Sequence, residues 1–158
     1  MDLELIESQL SPILMDQLLF KIQAEWKQHK NLDLELVKQA TAQPAPLVSA
    51  NAVLLKIAID NVISNAFKFS NNQKVICRLA VEADSVLIKI VDQGPGIPLS
   101  EREDVFKPFY TRSAEAGQKG EGMGLYISNK IIHLFSGTIE IATEKESDFT
   151  ISLPLLKL

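Results

Sequence analysis

Residues 120 to 128 read GEGMGLYIS, and the meaning given to this stretch decides which fold the chain can have. Six of the seven glycines (Gly94, Gly96, Gly117, Gly120, Gly122 and Gly124) fall between residues 94 and 124, after a long run with none. The Gly-x-Gly-x-Gly spacing does not match the Gly-x-Gly-x-x-Gly of a dinucleotide loop, and no strand-helix-strand unit precedes it. The chain also lacks the GxxxxGK[ST] pattern of a P-loop. What remains is a glycine-rich turn entering a helix at about Met123 to Leu125. The free N–H groups and positive dipole end of a helix start suit phosphate oxygens. A plain flexible loop is the competing reading for this piece alone.

Composition narrows the classes. A chain of 158 residues is the size of one domain and long enough to bury a real core. A net charge of -4, with the 16 basic residues scattered, gives no general attraction to nucleic acid or to an anionic membrane surface. Cys77 is the only cysteine, which excludes an internal disulfide or a cysteine metal site, and the N-terminus lacks the order of a signal peptide. No apolar run approaches the roughly 20 residues that span a bilayer. A soluble chain in a reducing, cytoplasmic compartment is therefore expected, alone or as part of something larger.

Working outward, Ser11 and Pro12 read as N-cap and first turn of a helix to about His29, with Leu14, Leu18, Ile22 and Trp26 recurring every four residues. Leu32, Leu34 and Leu36 alternate with polar neighbours as a strand, and Pro44 and Pro46 mark a loop. A second helix is expected from near Asn51, its core stripe Leu55, Ile59, Val62, Ile63 and Ala66, with Asn61, Asn65, Lys68 and Phe69 along another face. KVICRLAVE (74–82) and VLIKIVD (86–92) read as a hairpin. Next come the glycine and proline segment, a helix from about Gly122 to Phe135, a turn at Ser136 and Gly137, and strands TIEIATE (138–144) and FTISLPL (149–155). This order of helices and hairpins points to an α/β sandwich with a mixed sheet covered on one side. Cys77 is expected in the sheet core.

Two asparagines four apart on a largely buried helix need partners, since an amide in an apolar setting without hydrogen bonds costs roughly 1 to 3 kcal/mol. Satisfied structural amides are the simplest explanation of the pair alone. The amide oxygen of Asn65 can also ligate Mg²⁺, a hard ion that shares phosphate oxygens. Lys68 would then lie beside the same phosphates, and Phe69 could cover a base. Downstream, VDQGPGIP (91–98) puts Asp92 at the end of an apolar strand. An aspartate emerging there can accept from an exocyclic amine, while Gly94 and Gly96 let a flat ring lie against backbone. A tight turn without any ligand explains the same glycines.

Together and in order, these pieces resemble the ATP-binding catalytic domain of sensor histidine kinases, in the family shared with DNA gyrase, heat-shock chaperone and mismatch-repair ATPases. DNVISNAFKFS (60–70) resembles the N box, VDQGPGIP the G1 box, VFKPFYTR (105–112) the F box and GEGMGLYIS the G2 box. The resemblance covers nearly the whole chain. It implies a two-layer α/β sandwich of the Bergerat type, a mixed, mostly antiparallel sheet with about three helices on one face. Residues 1–10 would be the end of a linker helix and 11–158 a single domain.

By position, the resemblance makes Asn65 the Mg²⁺ ligand, Asn61 its partner one turn back, Lys68 a phosphate contact and Phe69 the aromatic at the adenine side, usually Tyr. Asp92 would bind the adenine amine, with Gly94, Gly96 and Ile97 lining the base pocket. Gly120, Gly122, Gly124 and Leu125 would form the phosphate-side turn. Residues 99–121 would be a mobile lid anchored by Phe106 and Phe109, with Arg112 or Lys119 reaching the γ-phosphate.

Hydrolytic relatives carry a general-base glutamate at the position of Asn61, and an amide cannot take a proton at neutral pH. The resemblance therefore implies phosphoryl transfer from Mg-ATP to a protein acceptor. That acceptor would be a histidine on a separate dimerisation domain, of the same or a paired chain, with a response regulator downstream. His29 and His133 do not match the acceptor pattern, a histidine followed by an acidic residue. A serine kinase acting on a partner protein and a nucleotide-gated interaction module are the alternatives. EKESDFTIS (144–152) lacks the glycines the family carries before its last strand, so that turn should differ.

Overall fold

Alternating apolar residues in two neighbouring segments build the centre of the molecule. The computed structural model describes residues 9–39, 44–108, 110, 124–141 and 148–157. Along these run β1 (Ser11–Leu14), α1 (Met15–Glu25), β2 (Leu34–Lys38), β3 (Leu47–Ala50), α2 (Ala52–Phe69), β4 (Val75–Glu82), β5 (Ser85–Val91), α3 (Gly124–Leu134), β6 (Thr138–Ile141) and β7 (Asp148–Pro154). A five-stranded sheet has the order β2-β4-β5-β7-β6. β2 and β4 are parallel and the other neighbours antiparallel.

The register puts Cys77 opposite Ile90 and Leu79 opposite Ile88, then Ile88 opposite Ile151 and Ile90 opposite Phe149. All of these are buried, whereas Arg78 on the other face of β4 is exposed. Because side chains alternate along a strand, one face of the sheet is apolar and collects the helices. This is the two-layer sandwich expected, and Cys77 lies in its core. No helix among the described residues is long and apolar enough to cross a membrane.

The expected first helix is corrected. Ser11 and Pro12 do not cap it: Ser11–Leu14 is a strand paired antiparallel with β3, Pro12 opposite Ser49. The helix begins at Met15, whose N–H donates to Pro46 O at 2.9 Å. Its core stripe is Met15, Leu19 and Ile22, with Leu18 and Trp26 only partly buried. A cap bond contributes about 1 kcal/mol. Pairing two strands buries Ile13 with Val48 and Ala50, which at about 25 cal/mol per Å² outweighs it. α1 continues into a π-helical turn, Trp26–Lys30, ended by Asn31 at φ 53°.

The second helix keeps its expected start and stripe. Asn51 caps it by accepting from Leu54 N at 3.1 Å, and Leu55, Ile59, Val62, Ile63 and Ala66 are all fully buried. Asn71 and Asn72 end it in the left-handed region, at φ 54° and 61°. There Asn72 N donates to Phe67 O at 2.8 Å, a Schellman-type closure.

Of the expected linker helix at 1–10, residues 1–8 lie outside the described residues, and Gln9 and Leu10 are not helical. The segment between β6 and β7 that lacks the usual glycines, at 142–147, lies outside them as well.

Candidate nucleotide site

Three elements converge on one end of the sandwich. Asp92 directly follows β5 and is fully buried, because the apolar strand carries it into the core edge. Its Oδ1 accepts from Gly94 N at 2.7 Å, which fixes the carboxylate on the turn that follows. That turn is pressed against α2: a Cβ at residue 94 would stand 2.5 Å from Phe69 O and 2.9 Å from Phe69 C. Glycine is required there by backbone contact, a reason that turn propensity alone does not reveal. Ile97, three residues on, is buried, and Arg102 Nε donates to its carbonyl at 3.3 Å.

On α2, Asn61, Asn65 and Lys68 are half-buried along one face. Phe69 leaves that face, being 8% exposed at the helix end, one backbone away from the Asp92 turn. Asn65 Nδ2 is buried and makes no hydrogen bond among the described residues. A buried amide end without a partner costs about 1 to 3 kcal/mol, so this side chain is suited to a partner that the described residues do not supply. Rotation of the amide presents either its N–H₂ or its carbonyl oxygen there.

α3 completes the arrangement. Its first residue, Gly124, meets Asn61: a Cβ at 124 would lie 3.8 Å from Asn61 Cβ and Cγ. One turn along, Ser128 Oγ donates to Ala58 O at 2.8 Å in the buried interface. Leu125 points into the core, 8% exposed. The positive end of the α3 dipole thus abuts the Asn61 face of α2, a favourable place for anionic oxygens.

Beyond the Asp92 turn the chain forms two 3-10 turns, Leu99–Glu101 and Asp104–Phe106. Phe106 stands edge-on to Phe149 at 6.4 Å, which ties this side of the expected lid to the sheet core. Tyr110 OH donates to Glu101 Oε1 at 2.7 Å. Phe109, Arg112, Lys119, Gly120 and Gly122 lie outside the described residues.

The back of α2 holds a charge cluster that the sequence reading passed over. Trp26 Nε1 donates to Asp60 Oδ1 at 3.0 Å, and Lys56 bridges Asp60 at 2.6 Å and Glu25 at 2.8 Å. The hydrogen bonds to Asp60, and next to Glu25, raise the Lys56 pKa. The Lys56 ammonium in turn holds the Glu25 carboxyl below its ordinary value. Trp26 also packs its ring on Phe67 at 5.4 Å. One side chain from the π-turn therefore braces α2 at Asp60, next to Asn61, and at Phe67, next to Lys68. The signal available in the sequence was Trp26 itself, a large side chain with one donor that needs an acceptor when buried. Ser128 was also passed over, though a serine inside the stripe Leu125, Ile131 and Ile132 marks a buried hydroxyl.

Comparison with known proteins agrees with this fold. A family model described as histidine kinase-, DNA gyrase B-, and HSP90-like ATPase matches residues 50–157. The sensor histidine kinase RcsC of Escherichia coli (strain K12) is 30% identical over 112 residues, covering 68% of this chain and 12% of that protein. The sensor histidine kinase CpxA of the same organism is 35% identical over 101 residues, covering 61% of this chain and 21% of that protein. This chain therefore spans a small part of these relatives. Among solved structures, a mycobacterial sensor histidine kinase, MprB, superposes with a TM-score of 0.75 at 24% identity, covering 94% of this chain and 99% of that one. The catalytic domain of histidine kinase ThkA gives 0.77 at 22% identity, covering 92% and 95%. At these identities the structural likeness speaks to fold.

Proposed function

Since the chain belongs to the histidine kinase-, DNA gyrase B-, and HSP90-like ATPase family, we propose that it is the ATP-binding catalytic domain of a two-component sensor histidine kinase. In this reading it binds Mg-ATP and delivers the γ-phosphate to a histidine on a separate dimerisation domain, of the same or a paired chain. A response regulator then receives the phosphate, and the fragment works in the cytoplasm. The observation that carries the reading is the contact of the α3 start with Asn61, one turn from Asn65, whose buried Nδ2 has no hydrogen bond among the described residues.

The donor set fits the magnesium nucleotide. Asn65 would turn its carbonyl oxygen to the metal, with Asn61 one turn back and Lys68 on the same face for phosphate oxygens. When bound, Mg²⁺ neutralises the developing charge on the phosphates. Asp92, held by Gly94 N, accepts from the adenine amine, and Phe69 and Ile97 close the base side. Gly94 serves chiefly to let the Asp92 turn reach α2, while Gly96 faces the base. Gly124 and Leu125 hold the α3 start against Asn61, so its N–H groups meet the phosphates together with Gly120 and Gly122. Phe109 anchors the lid, and Arg112 or Lys119 reaches the γ-phosphate. With an amide at 61, the chain has no general base at the glutamate position of the hydrolytic relatives, and transfer by positioning is the chemistry left.

Calorimetric titration with Mg-ATP tests the site. Wild type should bind, Asn65→Ala should lose the Mg²⁺-dependent part of the affinity, and Asp92→Ala should lose discrimination for adenine. Unchanged titrations in both variants would remove the assignment. Labelling a full-length chain with γ-labelled ATP tests the reaction: an acid-labile label marks phosphohistidine, and an acid-stable one marks the serine kinase alternative.

A further inference from the structure

Ser128 is fully buried in α3, within an otherwise apolar stripe. A serine inside a helix ordinarily turns its hydroxyl to the carbonyl four residues back, here Gly124. Instead its Oγ donates at 2.8 Å to Ala58 O on α2, 70 residues away. Ala58 contributes only a methyl group and is itself fully buried. Its carbonyl already accepts within α2 by the helical pattern, and its second lone pair takes the hydroxyl.

We infer that Ser128 is a positioning residue, whose hydroxyl sets how far α3 is slid along α2 and thereby aims the start of α3 at the Asn61 and Asn65 face. This rests on the nucleotide reading above. Two pairings define the slide: Ser128 with Ala58 and, one turn earlier in α3, Gly124 with Asn61. They run antiparallel, so the next turn of α2 in the same direction brings Asn65. Contacts among glycine, alanine and a methylene carry no direction, and each atom pair gains little. The hydrogen bond is the directional element, confined to about 2.5 to 3.0 Å for a hydroxyl donor. A slip of one residue is about 1.5 Å along the axis, enough to break that bond and carry the first-turn N–H groups off the Asn65 face.

The test compares wild type, Ser128→Ala and Ser128→Thr in the intact chain. Amide resonances of Gly124 and the side-chain amide of Asn65 are recorded without nucleotide, and affinities are measured for Mg-ATP and for adenosine. Ser128→Ala should move both resonances and weaken Mg-ATP about fivefold, the fold-change of one ordinary hydrogen bond, while adenosine, read at Asp92, keeps its affinity. Ser128→Thr should restore both, and if its extra methyl is not accommodated, Ser128→Cys should fall between serine and alanine. Wild-type resonances at Gly124 and Asn65 in Ser128→Ala would overturn the inference even if its melting temperature fell, because the hydroxyl would then only stabilise. A wild-type chain that does not bind Mg-ATP would overturn the nucleotide reading instead, and the nucleotide-free resonances would still decide the slide.

Discussion

The carbonyl oxygen of Phe69 lies 2.5 Å from where a Cβ of residue 94 would stand, so the end of α2 and the turn after β5 meet backbone to backbone. Asp92 Oδ1 lies 3.0 Å from the same point. Gly94→Ala must therefore displace main chain, and overpacking of this kind costs about 1 to 3 kcal/mol. The unfolding free energy read from urea titration should fall by that amount, lowering the midpoint, and adenine-dependent binding should fall with it, since the carboxylate moves with the turn. A variant that keeps both midpoint and adenosine affinity would contradict this packing.

The cluster behind α2 should make stability depend on pH in a defined direction. Lys56 beside it holds Glu25 below its ordinary 4.5, so its contribution is present above 4.5 and is lost as pH falls through the depressed folded value. Lys56, raised above 10.5 by Asp60 and Glu25, contributes below 10.5 and loses that as pH rises through the folded value. Urea midpoints of wild type and Glu25→Gln should differ at pH 8 and converge towards pH 3. Wild type and Lys56→Met should differ at pH 8 and converge only in strong alkali.

Burial pushes the Cys77 thiol up to about 12. The thiolate is the reactive form, so a thiol reagent at pH 8 should leave the native chain unmodified and label one group per chain once denaturant is added. Rapid labelling of the native chain would show that β4 opens far more readily than its place in the sheet allows.

The two-residue turn joining β4 to β5 puts Ala83 at φ 52°, between Glu82 and its partner Ser85. A side chain in the left-handed region costs about 1 to 2 kcal/mol, and glycine is favoured in such hairpins. Ala83→Gly should raise stability by about 0.5 to 1 kcal/mol, because the added freedom of the unfolded chain offsets part of the gain. At this chain length that is about 1 to 4 °C in melting temperature. A lower melting temperature would mean that the Ala83 methyl makes contacts worth more than the strain.

The candidate site was legible in outline because its residues sit on elements whose periodicity is strong. The stripe Leu55, Ile59, Val62, Ile63 and Ala66 placed α2, and with it Asn61, Asn65 and Lys68 on a different face. Asp92 was legible as the end of an apolar strand. Phe69 was grouped with that polar face and belongs instead to the helix end, because one residue is 100° of turn and a four-residue grouping does not resolve it. The start of the first helix was misread since Ser11 and Pro12 carry a strong local cap signal, while the partner that overrides it, Leu47–Ala50, lies more than thirty residues away.

By itself the sequence determined the elements from α2 onward, the buried stripe of α2 and the glycine-rich segments, because each depends on neighbours within a turn or two of chain. Only the tertiary structure decided that Gly94 exists for the backbone of Phe69, that Trp26 braces the back of α2 through Asp60, and that Ser128 ties α3 to Ala58. Each of these joins residues distant in the chain, and contacts at that separation are set by how the layers pack, which no local pattern encodes.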